Sequence, residues 1–309
     1  MTNSTPTSWH NFPALSMQST RLSVVILPAL GGKIASLYDR LHQREWLVSP
    51  VRPLRPIAYA AQFISQDMSG WDEMLPTIDR CTWQGVQLPD HGEVWSLPWE
   101  LERSAEALVL SVNGRALPYC FSRSLSFLSP TCLELRYSLI NRGAEPFPYL
   151  WAAHPQFLAY SHTRLLLPPE VNQVINIIED DPLWGKAGTK VAWPVARDSS
   201  GREWALDRVG PVERRACRKH YLPPDKPVSW AALRDEDTGC QLKLEWSPAE
   251  IPYLGLWVDE GMFSPCPVAA LEPATAYYDS LERAVSLGQA PFLVPGSQVE
   301  WTLRLTVSG

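Results

Sequence analysis

Trp301-Thr302-Leu303-Arg304-Leu305-Thr306-Val307 alternates apolar and polar residues without a break. A period of two places all four large apolar side chains on one face and the Thr and Arg side chains on the other. That is the pattern of a strand with one buried and one solvated face, the habit of antiparallel sheets. The same alternation recurs upstream, where Leu242, Leu244 and Trp246 are interleaved with Gln241, Lys243 and Glu245. It recurs again where Leu133, Leu135, Tyr137 and Leu139 are interleaved with Glu134, Arg136 and Ser138.

Shorter strands are predicted at 21–27, 33–38, 93–97, 107–112, 121–128, 147–152, 190–193, 228–234, 253–258 and 268–272. Turn chemistry separates them, as at Asn113-Gly114, Asn141-Arg142-Gly143, Asp237-Thr238-Gly239 and Pro295-Gly296-Ser297. Helix signals are few. The best lies over 279–287, where Asp279 or Ser280 caps, Glu282 completes a capping box and Gly288 stops the helix. No linker or internal repeat divides the chain. Together these patterns predict an all-β antiparallel sandwich forming one domain over 1–309, with 1–15 as a loosely ordered N-terminal segment.

Composition narrows the function. The chain has 309 residues and a net charge of −6, which argues against a nucleic-acid binder. Its one dense basic cluster, Arg214, Arg215, Arg218 and Lys219, reads as a solvated strand or loop. No apolar run reaches the roughly 18–20 residues that span a bilayer, and no basic segment followed by an apolar one opens the chain. Six cysteines, at 81, 120, 132, 217, 240 and 266, are scattered without a C-x-x-C pair, so no zinc site is indicated. Free thiols and a cytoplasmic location are the expectation, with Cys120 facing Cys132 across a hairpin as the only disulfide considered. The 29 prolines fit many short elements, and the 14 tryptophans can fill a β core or pack on sugar faces.

Three polar residues have loaded contexts. His91 lies in Asp90-His91-Gly92-Glu93-Val94-Trp95. His154 follows the apolar run 147–153 and precedes Pro155. Glu272 ends the apolar run 268–271 and precedes Pro273. A carboxylate at the end of a buried strand is costly unless paired or used, and the following proline holds its predecessor extended. Taken singly, each could simply bond a neighbouring loop.

Their joint context resembles the aldose 1-epimerase, or galactose mutarotase-like, family. The resemblance is carried in order by Gly31-Gly32-Lys33-Ile34-Ala35-Ser36-Leu37, Arg44-Glu45-Trp46-Leu47, Gly70-Trp71-Asp72-Glu73-Met74-Leu75-Pro76-Thr77-Ile78 and the 90–95 motif. It continues through Trp151-Ala152-Ala153-His154-Pro155, Leu254-Gly255-Leu256-Trp257, Leu271-Glu272-Pro273-Ala274-Thr275 and Asp279-Ser280-Leu281. It implies a β-supersandwich and interconversion of the α and β anomers of an aldose, without metal or organic cofactor. By motif, Glu272 matches the general base, His154 the general acid, and His91 the histidine that binds sugar near the ring oxygen.

The chemistry fits those residue types. Ring opening removes the proton of the C1 hydroxyl and delivers one to the ring oxygen O5, a task for a carboxylate and an imidazolium. Trp71, Asp72 and Glu73 are further candidate sugar contacts, a Trp to stack and two acids to accept hydroxyl protons; the alternative is a core Trp with loop acids. Trp257 is expected in the pocket wall and Trp151 in the core, while Lys219 and His220 fall where relatives often place a polar ligand contact. The chain departs from well-studied galactose mutarotases at 70–73, where those carry an arginine and asparagines, and no residue of 207–225 is matched to their sugar-binding aspartate. The aldose is therefore open; a sugar phosphate would need a cationic pocket from Arg80, Arg123 or the 214–219 cluster. A small-molecule sugar is the expected partner, with no nucleic acid and no membrane, and an exposed sheet edge could pair two copies as a homodimer. A carbohydrate-binding or sensing protein without turnover is the alternative on the same fold, and a glycoside hydrolase or lyase the third reading.

Overall fold

A computed structural model describes residues 4–103 and 107–309. Two large sheets dominate, and every pairing between the described strands is antiparallel. The alternating segments that point to a sandwich are neighbours in the smaller, eight-stranded sheet. Its Gln298–Ser308 strand lies between Gln241–Trp246 and Cys132–Asn141. Register sets Leu303 beside Leu135 and Trp246, and Leu305 beside Leu133 and Leu244. Trp301, Leu303, Leu305 and Val307 are buried, whereas Arg304 is exposed. Each such burial stabilises by roughly 1.5–3 kcal/mol before the cost of ordering the chain.

The larger, thirteen-stranded sheet carries the central run Lys33–Asp39, Trp71–Met74, Ala152–Pro155, Val268–Ala274, Tyr253–Glu260 and Ala216–Tyr221. The two sheets face each other across a shared core. Trp151 packs on Tyr137 and Trp301 of the opposite sheet, with ring centroids 4.7 and 5.1 Å away. No described helix is long and apolar enough to cross a membrane.

Several expectations need correction. The N-terminal segment is not loose from residue 4 onward. Ser4–Trp9 and Phe12–Gln18 form a hairpin whose turn residues His10 and Asn11 both have positive φ, and the second strand buries Ala14, Leu15 and Met17. Residues 1–3 lie outside the described ones. The segment 93–97 is not a strand. Val94–Ser96 is a 3₁₀ turn, closed by the Trp95 indole N–H donating to the carbonyls of Asp90 and Gly92. The helix is shorter than expected, Leu281–Ser286, with the Ser280 hydroxyl accepting from the Arg283 amide. Glu282 is then the second helical residue, too early to complete a capping box. Cys120 and Cys132 pair with Ile140 and Thr306, at opposite ends of their hairpin, and all six thiols are free.

Candidate active site

Four adjacent strands of the large sheet present one face to a cavity of about 280 Å³. His154 comes from Ala152–Pro155, Glu272 from Val268–Ala274, Trp257 from Tyr253–Glu260 and Lys219 from Ala216–Tyr221. Register aligns Ala270, Trp257 and Lys219 across three strands. Glu272 stands opposite Gly255, where a Cβ would sit 3.2 Å from the Glu272 carboxylate. Glycine there leaves the carboxylate its room. Loops supply the other walls: Phe63 and Met68 from one, Asp90 and His91 from another, and Phe263 at the rim.

His154 Nε2 lies 3.9 Å from Glu272 Oε1. The other carboxylate oxygen, Oε2, lies 2.9 Å from Lys219 Nζ, which is also 2.9 Å from Asp279 Oδ2. The Tyr221 hydroxyl donates to Asp279 Oδ1 at 2.8 Å and so holds that acid in place. His91 Nδ1 meets Asp90 Oδ1 at 2.9 Å, and Asp90 Oδ2 accepts the Phe63 amide at 2.9 Å. The Phe63 ring lies parallel on His91, 4.2 Å between centroids, and edge-on to His154 at 5.1 Å. Trp257 stands 6.1 Å from His154. An open chamber with aromatic walls and a few convergent polar groups has the make-up of a small-molecule site.

Burial sets the electrostatics. His154 is held well below the ordinary histidine range, by desolvation first and then by His91, Lys219 and Lys33. Glu272 is pushed above the usual carboxylate range by burial and by Asp279, against the pull of the Lys219 ammonium. Lys219 loses solvation too, but Asp279 and Glu272 more than offset this and hold it protonated. The imidazolium expected at His154 is therefore not the form its surroundings favour.

His91, His154, Glu272 and Trp257 thus meet in one cavity. Trp71, Asp72 and Glu73, expected to touch sugar, line none of it. Their strand lies in the middle of the sheet and is buried on both faces. Trp71 packs edge-on to Phe157. Glu73 points into the core between the sheets, where it accepts from Arg123 Nη1 at 2.8 Å, Trp151 Nε1 at 2.9 Å and the Tyr137 hydroxyl at 3.0 Å. Asp72 stands opposite His154 in register and binds Lys33 Nζ at 2.8 Å. Lys33 also holds Asp67 at 2.9 Å and the Ser69 carbonyl at 2.7 Å, tying the loop that carries Met68 to the sheet. These are supporting residues.

Sequence reasoning passed over Phe63, Met68, Asp79 and Phe263; it set Lys219 only where relatives often place a ligand contact and read Asp279 only as a helix cap. Asp279 carried a usable signal, because it stands in the last family-like motif; Phe63 sits in a loop with no pattern at all. The only group of described residues close enough to share a metal ion is Asp39, His42 and Cys240. None of them lines the cavity, and Arg21 already donates to both Asp39 oxygens at 3.0 Å and lies 3.0 Å from His42 Nδ1.

No protein-family model matches the chain, and no curated protein does. Solved structures do. A candidate aldose 1-epimerase of Escherichia coli K12 is 17% identical with a TM-score of 0.70, the match covering 95% of this chain and 98% of that one. A galactose mutarotase related enzyme of Lactobacillus acidophilus is 15% identical with a TM-score of 0.68, covering 96% and 97%. A galactose mutarotase-like protein of Clostridium acetobutylicum is 14% identical with a TM-score of 0.68, covering 100% and 99%. The chain has the galactose mutarotase-like β-sandwich fold.

Proposed function

We propose that the chain is an aldose 1-epimerase-like isomerase, one galactose mutarotase-like domain over 1–309, that interconverts the α and β anomers of an aldose. The observation that carries this reading is the His154–Glu272 pair, 3.9 Å apart at the wall of an open cavity. One proton shared by this pair is enough for the reaction. The member without it takes the C1 hydroxyl proton while the member with it protonates O5; the C1–O5 bond breaks and a C1 aldehyde forms. Rotation about C1–C2 offers the other carbonyl face, and reclosure returns both protons with the roles exchanged. Burial disfavours charge on both groups, and Lys219 fixes Glu272 for the transfer. His91, with Nδ1 engaged by Asp90, has Nε2 left to bind near the ring oxygen. Trp257 and Phe63 offer apolar faces to the sugar.

A cytoplasmic location belongs to the same proposal, supported by six free thiols. NMR exchange between the anomeric signals of dissolved aldoses tests the activity directly; no acceleration over buffer for any aldose would sink it. One observation favours the second reading, a sugar binder without turnover: the Lys219 ion pair partly neutralises the proposed base. Calorimetric sugar binding with no anomer exchange would decide for it. The hydrolase reading loses the support of Asp72 and Glu73, since neither reaches the cavity.

A further inference from the structure

His154 and Asp72 stand directly opposite each other on the antiparallel strands Ala152–Pro155 and Trp71–Met74. Residues opposed in this way put their side chains on the same face of the sheet, with Cβ atoms roughly 4.5–5.5 Å apart. The next pair along, Ala153 and Glu73, takes the other face, where Glu73 reaches Arg123, Tyr137 and Trp151 in the core. His154 and Asp72 therefore share the face that carries the cavity, although only His154 lines it. Both are buried, and each holds one buried polar atom with no hydrogen-bond partner among the described residues: Nδ1 of His154 and Oδ1 of Asp72. Their other polar atoms are committed. His154 Nε2 is the nitrogen 3.9 Å from Glu272 Oε1, and Asp72 Oδ2 accepts from Lys33 Nζ at 2.8 Å. An imidazole N–H and a carboxylate oxygen are complementary, and neither atom here has bulk water to turn to.

We propose that Asp72 is the positioning residue of His154: its Oδ1 accepts the His154 Nδ1–H, directly after a small turn of the carboxylate or across one water molecule, and Nε2 is left to exchange the proton at the cavity. This rests on the acid–base reading of that cavity. The torsion that turns an aspartate carboxylate is broad, so the movement is soft, and a bridging water serves the longer geometry. Such a bond fixes one tautomer and sets a negative charge beside the imidazolium that forms whenever Nε2 takes a proton. That charge answers a need of the site, because burial first, and then His91, Lys219 and Lys33, oppose a positive His154. The Nδ1 proton stays on the ring throughout. Only the proton shared by Nε2 and Glu272 and those of the sugar move. Burial lifts the Asp72 carboxyl to about 6 against the pull of the Lys33 ammonium, which leaves it an anion at neutral pH. Lys33 is also held by Asp67 and the Ser69 carbonyl, so its own place does not hang on Asp72.

Nitrogen-15 NMR of histidine-labelled protein at about pH 8, with His154→Gln assigning the resonance, tests this without any sugar. Wild type should show the Nδ1–H tautomer at His154. Asp72→Asn, whose amide can turn a donor toward Nδ1, should shift it to Nε2–H. Asp67→Asn, which takes the other carboxylate from Lys33, should leave the tautomer as it is. In anomer exchange Asp72→Asn should lose about ten-fold or more in kcat with KM within about two-fold. The double variant of Asp72→Asn with His154→Ala should be no slower than His154→Ala alone, because a positioning residue has nothing left to position. An Nε2–H tautomer in wild type, a measurement that asks no variant to fold, overturns the proposal. So does a tautomer unmoved in Asp72→Asn, one moved equally in Asp67→Asn, or losses that multiply in the double variant. If the tautomer behaves as expected and no sugar is exchanged, the positioning stands and the epimerase reading falls.

Discussion

Lys219 Nζ stands 2.9 Å from Glu272 Oε2, the carboxylate oxygen not turned toward His154. One side of the proposed base is thereby anchored to a buried ammonium and the other left for a substrate hydroxyl. The same ammonium opposes the burial that drives the Glu272 carboxyl upward. Lys219 in turn depends on Asp279, which depends on Tyr221.

Removing Lys219 should therefore change the pH dependence of exchange as well as its size. In Lys219→Met the Glu272 carboxyl, buried beside Asp279 without a cation, rises further. The pair works with one proton on it, and a carboxyl that keeps this proton to higher pH moves the alkaline limb of log kcat/KM upward by about one to three units. Lys219→Arg should restore part of the wild-type profile. A pH–rate series on the three proteins checks this, and an unmoved alkaline limb in Lys219→Met would refute the anchoring role.

Glu272→Gln and His154→Ala should each lose about 10²–10⁴-fold in anomer exchange, with far-UV and near-UV circular dichroism unchanged. Because the two groups act as a unit, the double variant should be little worse than either single one. Additive losses would mean that they work separately.

Glu73 separates a supporting residue from a sugar contact. Glu73→Ala leaves Arg123 buried and unpaired, which costs roughly 3–5 kcal/mol. Urea unfolding should show that loss, while KM for the sugar, measured where the variant is still folded, stays within about two-fold of wild type. A several-fold rise in KM without loss of stability would return Glu73 to the binding surface.

His220 gives a pH effect away from the proposed chemistry. Burial first, and then Arg218, holds its imidazole down to about 3, against about 6.5 for a solvated histidine. A depressed histidine contributes stability above its unfolded pKa, and this is lost as pH falls, because the unfolded chain takes up a proton that the folded one refuses. Below pH 6.5 the loss approaches about 1.4 kcal/mol per pH unit. The stability advantage of wild type over His220→Gln should accordingly shrink between pH 7 and pH 5 in urea titrations. A constant difference across that range would contradict it.

Much of the architecture was legible because a two-residue period is a local property. The alternations at 133–139, 241–246 and 301–307 each state which face is buried, and one sheet satisfies all three by setting them side by side. The strand at 93–97 was misread because Val94, Trp95 and Leu97 are apolar whether the backbone is extended or turned, and two carbonyl bonds to one indole decide for the turn. Trp71, Asp72 and Glu73 were misread for a related reason. Two adjacent acids suggest a solvated segment, and only the partners Lys33 and Arg123, 39 and 50 residues away in sequence, make a buried strand tolerable.

The all-β antiparallel class, the buried face of the longest strands, and the strand-end settings of His154 and Glu272 were legible along the chain, because all of them depend on near neighbours. Tertiary contacts were needed to turn these two residues toward each other, to brace one of them with Lys219 and Asp279, and to pair Asp72 and Glu73 with Lys33 and Arg123 outside the cavity. Those relations join residues far apart in sequence, and sheet register, which no local pattern encodes, brings them together.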